Sequence, residues 1–298
     1  MRREHYAGND FRRAITIEDL RRVARRRLPT FSFEYVDGGS EDEVALRRNR
    51  DVFERITWLP RTLAGVGAPD LTTTIFGQTC HLPVIIAPTG FNGLLWPQGD
   101  LALARAAASA GIPFTLSTVS NYSLAKMKGE VDGPLWFQLY PVKDPKAIDR
   151  LVDLAQESGC EALVVTTDVP VFGAREWDQR NYSAPMQLRL SRKLDVLAHP
   201  RWLWRVMVPR GAPRFENLVE FLPPGSQSAL VGARYMGTQI NARLSWEDME
   251  RLRARWKGKL VLKGILCVED ARRAVDVGAD GIVLTNAWWL DQVAGTLH

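Results

Sequence analysis

Six short apolar runs, each closed by polar residues, constrain the fold of this chain more than any other feature. Val84-Ile85-Ile86-Ala87 leads into Pro88-Thr89-Gly90, Phe114-Thr115-Leu116 into Ser117-Thr118, and Leu135-Trp136-Phe137 into Gln138-Leu139-Tyr140. Ala162-Leu163-Val164-Val165 leads into Thr166-Thr167-Asp168, Leu260-Val261-Leu262 into Lys263-Gly264, and Gly281-Ile282-Val283-Leu284 into Thr285-Asn286. Each run has strand length and is too short for a stable helix. Strands that are apolar throughout are buried on both faces, as in a parallel sheet. The polar residues at their C-terminal ends then converge at one mouth of the sheet.

The segments between the runs read as crossover helices. Helical patterns over 101–110, 148–158 and 268–277 stop at Gly111, Gly159 and Gly278, and a strand follows each. A glycine just past a helix end takes the left-handed cap conformation. Repeated helix–Gly–strand units build a parallel sheet. A doubly wound sheet and a (β/α) barrel both fit. No Gly-x-Gly-x-x-Gly follows the first run, which argues against a dinucleotide-binding sheet.

At 298 residues, 46% of them hydrophobic, the chain suffices for a single α/β domain with a substantial core. No apolar stretch approaches the roughly 20 residues that span a bilayer. The start, Met1-Arg2-Arg3-Glu4-His5, leads into charged sequence, so no signal peptide is expected. Cys80, Cys160 and Cys267 lack zinc-ligand spacing; they are expected to be buried thiols in a reducing compartment, and no metal site is expected. An N-terminal helical extension covers about 1–80. Its first helix is signalled by the Thr16 cap and Asp19, and the turn Asp37-Gly38-Gly39-Ser40 is expected to use glycine at positive φ.

The charge is local. Residues 188–214 hold seven Arg and Lys against one acid, Asp195, a net of +6 beside +5 for the whole chain. This segment opens a basic insertion, about 188–225, in a span where the regular alternation breaks. It also carries Trp202, Trp204, Val206 and Met207. Trp mixed with Arg suits an anionic membrane surface. A nucleic-acid partner is not expected, because no binding motif accompanies the charge.

Taken singly, the polar strand ends are weak signals. Thr166-Thr167-Asp168 is more often a turn or capping device than a catalytic group, and Tyr35 and Tyr140 by themselves read first as partly buried residues of a barrel rim. Lys263 is sharper, because lysine is almost never buried without a partner.

Taken together and in order, the motifs resemble the FMN-dependent 2-hydroxy-acid dehydrogenase and oxidase family. They are Glu34-Tyr35-Val36-Asp37-Gly38-Gly39-Ser40, Ala87-Pro88-Thr89-Gly90, Leu116-Ser117-Thr118, Trp136-Phe137-Gln138-Leu139-Tyr140, Thr166-Thr167-Asp168-Val169-Pro170, Arg175 and Leu262-Lys263-Gly264. The stretch from Pro88 to Asp100 is most similar to the mandelate dehydrogenase branch. The resemblance implies a TIM (β/α)8-type barrel over one domain, 1–298, with strands over about 84–286, and oxidation of a small (S)-2-hydroxy acid by hydride transfer to FMN. It assigns Pro88, Thr89, Gly90, Ser117, Gln138, Thr166 and Lys263 to the flavin, and Tyr35, Tyr140 and Arg175 to the substrate. Tyr140 and Lys263 are the expected catalytic residues. It also implies a quinone or other electron acceptor, a homo-oligomer, tetrameric in the family, and a cytoplasmic location, peripheral on the inner face of the membrane.

The chain departs from the family pattern in two places. The family's general-base histidine falls at Ala287, within Thr285-Asn286-Ala287-Trp288-Trp289, and none of His5, His81, His199 and His298 is placed to replace it. Six of eight barrel strands are recognisable, and the family keeps its phosphate-binding loops after the other two. The alternative reading is therefore a degenerate or truncated non-catalytic relative, a flavin-binding or membrane-surface module.

Overall fold

The computed structural model describes residues 5–65, 67–170, 175–184, 187–209, 211–223 and 229–285. Near the start of the fold, β1 (Thr73–Ile75) and β2 (Gln78–Cys80) form an antiparallel hairpin. Phe76 and Gly77 close it at φ 52° and 86°, the backbone that matches strand twist in a two-residue turn. The central strands are β3 (Phe114–Ser117), β4 (Leu135–Leu139) and β5 (Ala162–Thr166). A small ribbon, β6 (Tyr182–Ala184) with β7 (Gln187–Leu188), leads into the insertion. The sheet continues with β8 (Lys259–Lys263) and β9 (Gly281–Val283).

The five central strands are parallel and ordered β3-β4-β5-β8-β9. No strand order reverses, so the sheet is of the barrel kind, not doubly wound. Among the described residues it does not close. The expected first strand, 84–87, reduces to one parallel bridge: Ile86 donates to Pro113 O at 3.0 Å and accepts from Thr115 N at 3.0 Å. It pairs on one side only, and Val84 is half exposed. At the other edge Ile282, Val283 and Leu284 are exposed.

Successive residues of a strand point to opposite faces, and that alternation sorts the sheet. Leu116, Phe137, Leu139, Leu163, Val165, Leu260 and Leu262 pack in the large core under the crossover helices. Trp136, Ala162, Val164 and Val261 occupy the other face, with Ile75 and Phe76 of the hairpin packed against them. The Phe76 and Trp136 rings are 5.5 Å apart. The hairpin thus plugs the N-terminal end of the inner face. Continuing up that face, the next inward positions are Ser117, Gln138, Thr166 and Lys263.

The helices follow their sequence signals. Asp144 caps Pro145–Glu157 by accepting from Lys146 N at 2.9 Å, with proline at the first helical position. Its buried Ala147, Leu151, Val152 and Ala155 form one stripe; burying a leucine contributes about 2 kcal/mol. Gly111, Gly159 and Gly278 end their helices at φ 63°, 65° and 81°. Thr16 and Asp19 form a reciprocal capping box on Ile17–Arg27.

Two expectations are corrected. Gly38 has φ −85°, so positive φ does not explain it. A Cβ there would lie 2.9 Å from Glu34 O, and close approach is the reason for the glycine. Cys267 is exposed and caps Val268–Asp276, its Sγ accepting from Asp270 N at 3.4 Å. Cys80 and Cys160 are buried, and burial pushes the Cys160 thiol up to about 12. The insertion is folded, with helices Leu190–Leu197 and Pro200–Trp202 and a π turn over Leu203–Met207. Trp202 and Val206 are buried, and Trp202 Nε1 donates to Leu94 O at 2.7 Å. Trp204 remains 70% exposed.

Candidate active site

The C-terminal ends of the central strands carry a continuous polar row. Ser117 sits opposite Gln138 in the β3–β4 register, and Thr166 opposite Lys263 in the β5–β8 register. Ser117 Oγ donates to Gln138 Oε1 at 2.9 Å, and Gln138 Nε2 donates to Thr166 Oγ1 at 2.8 Å. All three side chains are buried. Thr118 braces the row from behind, its hydroxyl donating to Gln138 O at 2.6 Å and accepting from Tyr140 N at 3.0 Å. Buried polar groups need such partners, and a satisfied network fixes one geometry.

Lys263 ends the row as a nearly buried cation. Its Nζ lies 3.8 Å from Asp168 Oδ1 and 3.4 Å from Thr285 Oγ1. Thr285 Oγ1 also donates to Asp168 Oδ2 at 3.4 Å. Burial lowers the Lys263 ammonium below the ordinary lysine range, and the Asp168 charge opposes that shift. The Lys263 backbone is held too: Thr167 donates to its carbonyl from N at 2.8 Å and from Oγ1 at 2.9 Å. The next residue must be glycine. Gly264 has φ 113°, and a Cβ there would lie 2.4 Å from Asp168 Cβ.

A second group stands over the first bridge. Gly90 has no room for a side chain, since a Cβ would lie 2.7 Å from Val119 Cγ2. That position is 3.7 Å from the Tyr35 hydroxyl, so helix Thr30–Asp37 brings Tyr35 to the loop 88–90. Pro88 is half-buried and Thr89 exposed. Arg175 covers the Tyr35 ring, its Cζ 5.3 Å from the centroid. Its Nη2 donates to the carbonyls of Tyr35 and Gly38, the latter at 2.9 Å. Tyr140 is half-buried just beyond β4.

The structure thus brings Ser117, Gln138, Thr166 and Lys263 into one row. It groups Tyr35, Gly90 and Arg175 beside the row and seats Tyr140 past its β4 end. Ala287 lies outside the described residues. Among the described histidines none reaches this mouth. His81 sits by Gly111, at the opposite end of the sheet, and His199 Nδ1 is 2.7 Å from Asp195 O. His5 Nδ1 is 3.7 Å from Asp19 Oδ1.

Sequence reasoning missed Asp168 and Thr285 as the partners of Lys263. The available signal was Lys-Gly itself, since a buried lysine demands an anion. It also missed Asp100, whose carboxylate is 1% exposed. In sequence Asp100 looks like any acid in a first helical turn.

The family described as FMN-dependent dehydrogenase matches residues 24–288. The (S)-mandelate dehydrogenase of Pseudomonas putida is 42% identical over 273 residues, 91% of this chain and 68% of that protein. The L-lactate dehydrogenase of Bartonella quintana is 39% identical over 269 residues, 90% of this chain and 70% of that protein. A crystal structure described as the monotopic membrane protein (S)-mandelate dehydrogenase superposes with a TM-score of 0.85 at 41% identity, covering 92% of this chain and 73% of its own. Mandelate oxidase with (S)-4-hydroxymandelic acid superposes with a TM-score of 0.72 at 38% identity, covering 92% and 70%. A folded polar row at the strand ends and these matches along nearly the whole chain lead to one assignment: the protein belongs to the FMN-dependent dehydrogenase family.

Proposed function

We propose that this chain binds FMN across the C-terminal ends of β3, β4, β5 and β8 and oxidises an (S)-2-hydroxy acid, mandelate-like or lactate-like, to the 2-oxo acid. The observation that carries the reading is the buried row Ser117–Gln138–Thr166 ending beside Lys263. A hydroxyl, an amide, a second hydroxyl and an ammonium across neighbouring strands suit a heteroaromatic edge of alternating donors and acceptors. At Gly90 the chain offers backbone where a side chain would collide with Val119. The residues therefore fit the ring of FMN.

Bound there, FMN supplies the two-electron acceptor for the substrate C–H bond. Ser117, Gln138 and Thr166 would hold the polar edge of the ring, and Pro88, Thr89 and Gly90 its face. Lys263 would place a fixed cation where negative charge develops, and the low exposure of its side chain limits screening of that charge. Tyr35 and Tyr140 would present hydroxyls to the substrate, and Arg175 a guanidinium to its carboxylate.

A second reading rests on Ala287. The family's base takes the substrate hydroxyl proton, and an alanine cannot. On that reading the chain binds FMN and turns over slowly or not at all. Positioned bases contribute about 10²–10⁴-fold. The two readings separate in an assay of 2-oxo acid formation with added FMN. If the site is otherwise intact, Ala287→His raises kcat by about 100-fold or more. An unchanged rate in a folded, flavin-loaded A287H variant contradicts that.

The insertion is proposed as a docking surface for an anionic membrane, with a membrane quinone as the electron acceptor. Leu190, Leu194 and Leu197 are all exposed on Leu190–Leu197, at helical spacings that put them on one face. Arg192 and Lys193 flank them, and Trp204 and Val208 extend the exposed apolar surface. Among the described residues no helix is long and apolar enough to cross a membrane, so the contact would be peripheral.

A further inference from the structure

Asp100 stands outside the chemistry derived so far, yet it is among the most deeply buried polar groups in the chain. It lies in the first turn of helix Gly99–Ala110 and is 1% exposed. Three donors converge on its carboxylate. Asn92 Nδ2 reaches Oδ1 at 2.7 Å, and Ser120 Oγ and Asn121 N reach Oδ2 at 2.7 and 3.2 Å. Among the described residues no cation stabilises it; burial raises its pKa and these donors lower it.

The donors come from two different connections of the candidate site. Asn92 opens the short helix Asn92–Leu95 that follows the loop 88–91, and the same Nδ2 donates to Thr89 Oγ1 at 2.8 Å and Thr89 O at 3.2 Å. Ser120 and Asn121 belong to the loop after β3, two and three residues past Thr118. Ser120 Oγ accepts from Tyr122 N at 2.9 Å, and Asn121 Oδ1 accepts from Gly93 N at 3.0 Å. The β3 loop is braced in turn against the insertion, with Asn121 Nδ2 donating to Arg214 O at 2.8 Å and Glu216 N to Ser120 O at 3.2 Å.

We propose that Asp100 is the positioning residue that clasps the loop bearing Thr89 and Gly90 to the loop following Ser117, setting the mouth that receives the flavin. Its role rests on the FMN reading given above, and it acts through Asn92 and Ser120 without touching the ring. A carboxylate suits this position because it accepts on both oxygens, while every group around it donates. An asparagine cannot copy it. One end of its amide is a donor and faces either Asn92 Nδ2 or the Asn121 N–H, so one arm of the clasp opens in either orientation.

The test compares the full chain with Asp100→Asn and Asn92→Ala. FMN affinity is read by quenching of flavin fluorescence, and loop order by amide hydrogen exchange of the FMN-free protein. For D100N the expected result is at least a tenfold weaker FMN affinity and at least tenfold faster exchange at 89–93 or 120–122, with β4 and β5 unchanged. For N92A the FMN loss is expected with faster exchange at 89–93 alone, because the Ser120 and Asn121 bonds remain. If D100N does not unfold cooperatively, N92A carries the test. Unchanged affinity and unchanged loop exchange in a folded variant overturn the proposal, as does faster exchange spread over the whole sheet. If the wild-type chain itself takes up no FMN, the proposed function fails, and the exchange measurement decides the clasp by itself.

Discussion

Lys263 is the residue on which the site's electrostatics turn. It is costly to bury a cation, and Asp168 at 3.8 Å offsets only part of that cost. Below the depressed pKa of the folded state the penalty is present in full. As pH rises from that value toward the ordinary 10.5 the folded protein sheds the proton first, and stability rises with pH across that window. The same deprotonation removes the charge that would face a reduced flavin. Anaerobic flavin reduction by substrate is therefore expected to fall at alkaline pH below 10.5. Lys263→Met is expected to slow it by about 10²–10³-fold at neutral pH, the scale for losing one preorganised electrostatic group, and to abolish the alkaline fall. Stopped-flow absorbance of the flavin checks both. Ser117, Gln138, Thr166 and Lys263 were legible because each ends an apolar run, where a polar residue has to find a purpose. Asp100 and Asn92 were not legible. An acid in a first helical turn is ordinary, and nothing local shows that its carboxylate points inward to two other loops.

At the scale of elements, legibility tracked the local backbone signal. Three helices end at left-handed glycines because the chain must turn back into the sheet there. The capping box of Ile17–Arg27 reads directly from Thr16 and Asp19. Asp19 does more than cap, since it accepts from Tyr6 N at 2.9 Å and from Ile15 and Thr16 N at 3.2 and 3.1 Å. These backbone donors, Tyr6 first, lower its pKa to about 2. Its contribution is fully present above the ordinary value of 3.8 and is lost as pH falls through about 2. Thr16→Ala is expected to lower stability by about 1 kcal/mol in urea unfolding at neutral pH. Asp19→Asn should flatten the acid limb of the stability profile between 3.8 and about 2. An acid limb as steep as wild type would rule out this role for Asp19. The insertion was not legible in this way. Its helices lack the sheet's periodic grammar, and its tryptophans divide between core and solvent by tertiary contact alone.

The molecule as a whole is a parallel sheet whose inner face is apolar at one end, where the hairpin plugs it, and polar at the other, where the candidate site lies. Strand burial made that polarity readable from sequence. The partial pairing of the first strand was not, because pairing depends on a neighbour that the strand's own residues do not encode. The insertion adds an exposed leucine face on Leu190–Leu197. If it docks on membranes, the wild-type chain sediments with vesicles containing anionic lipid, and the triple variant L190S/L194S/L197S loses at least tenfold in affinity, since each leucine withdrawn from water contributes about 2 kcal/mol. Equal sedimentation of the two contradicts docking through this face. The central claim, that the row from Ser117 to Lys263 is a working flavin site, is tested most directly by an anaerobic absorbance spectrum of the chain with FMN, before and after (S)-mandelate. The account predicts a bound-flavin spectrum that substrate bleaches, slowly in the wild type and faster in A287H. Flavin that stays free in solution at saturating protein contradicts it.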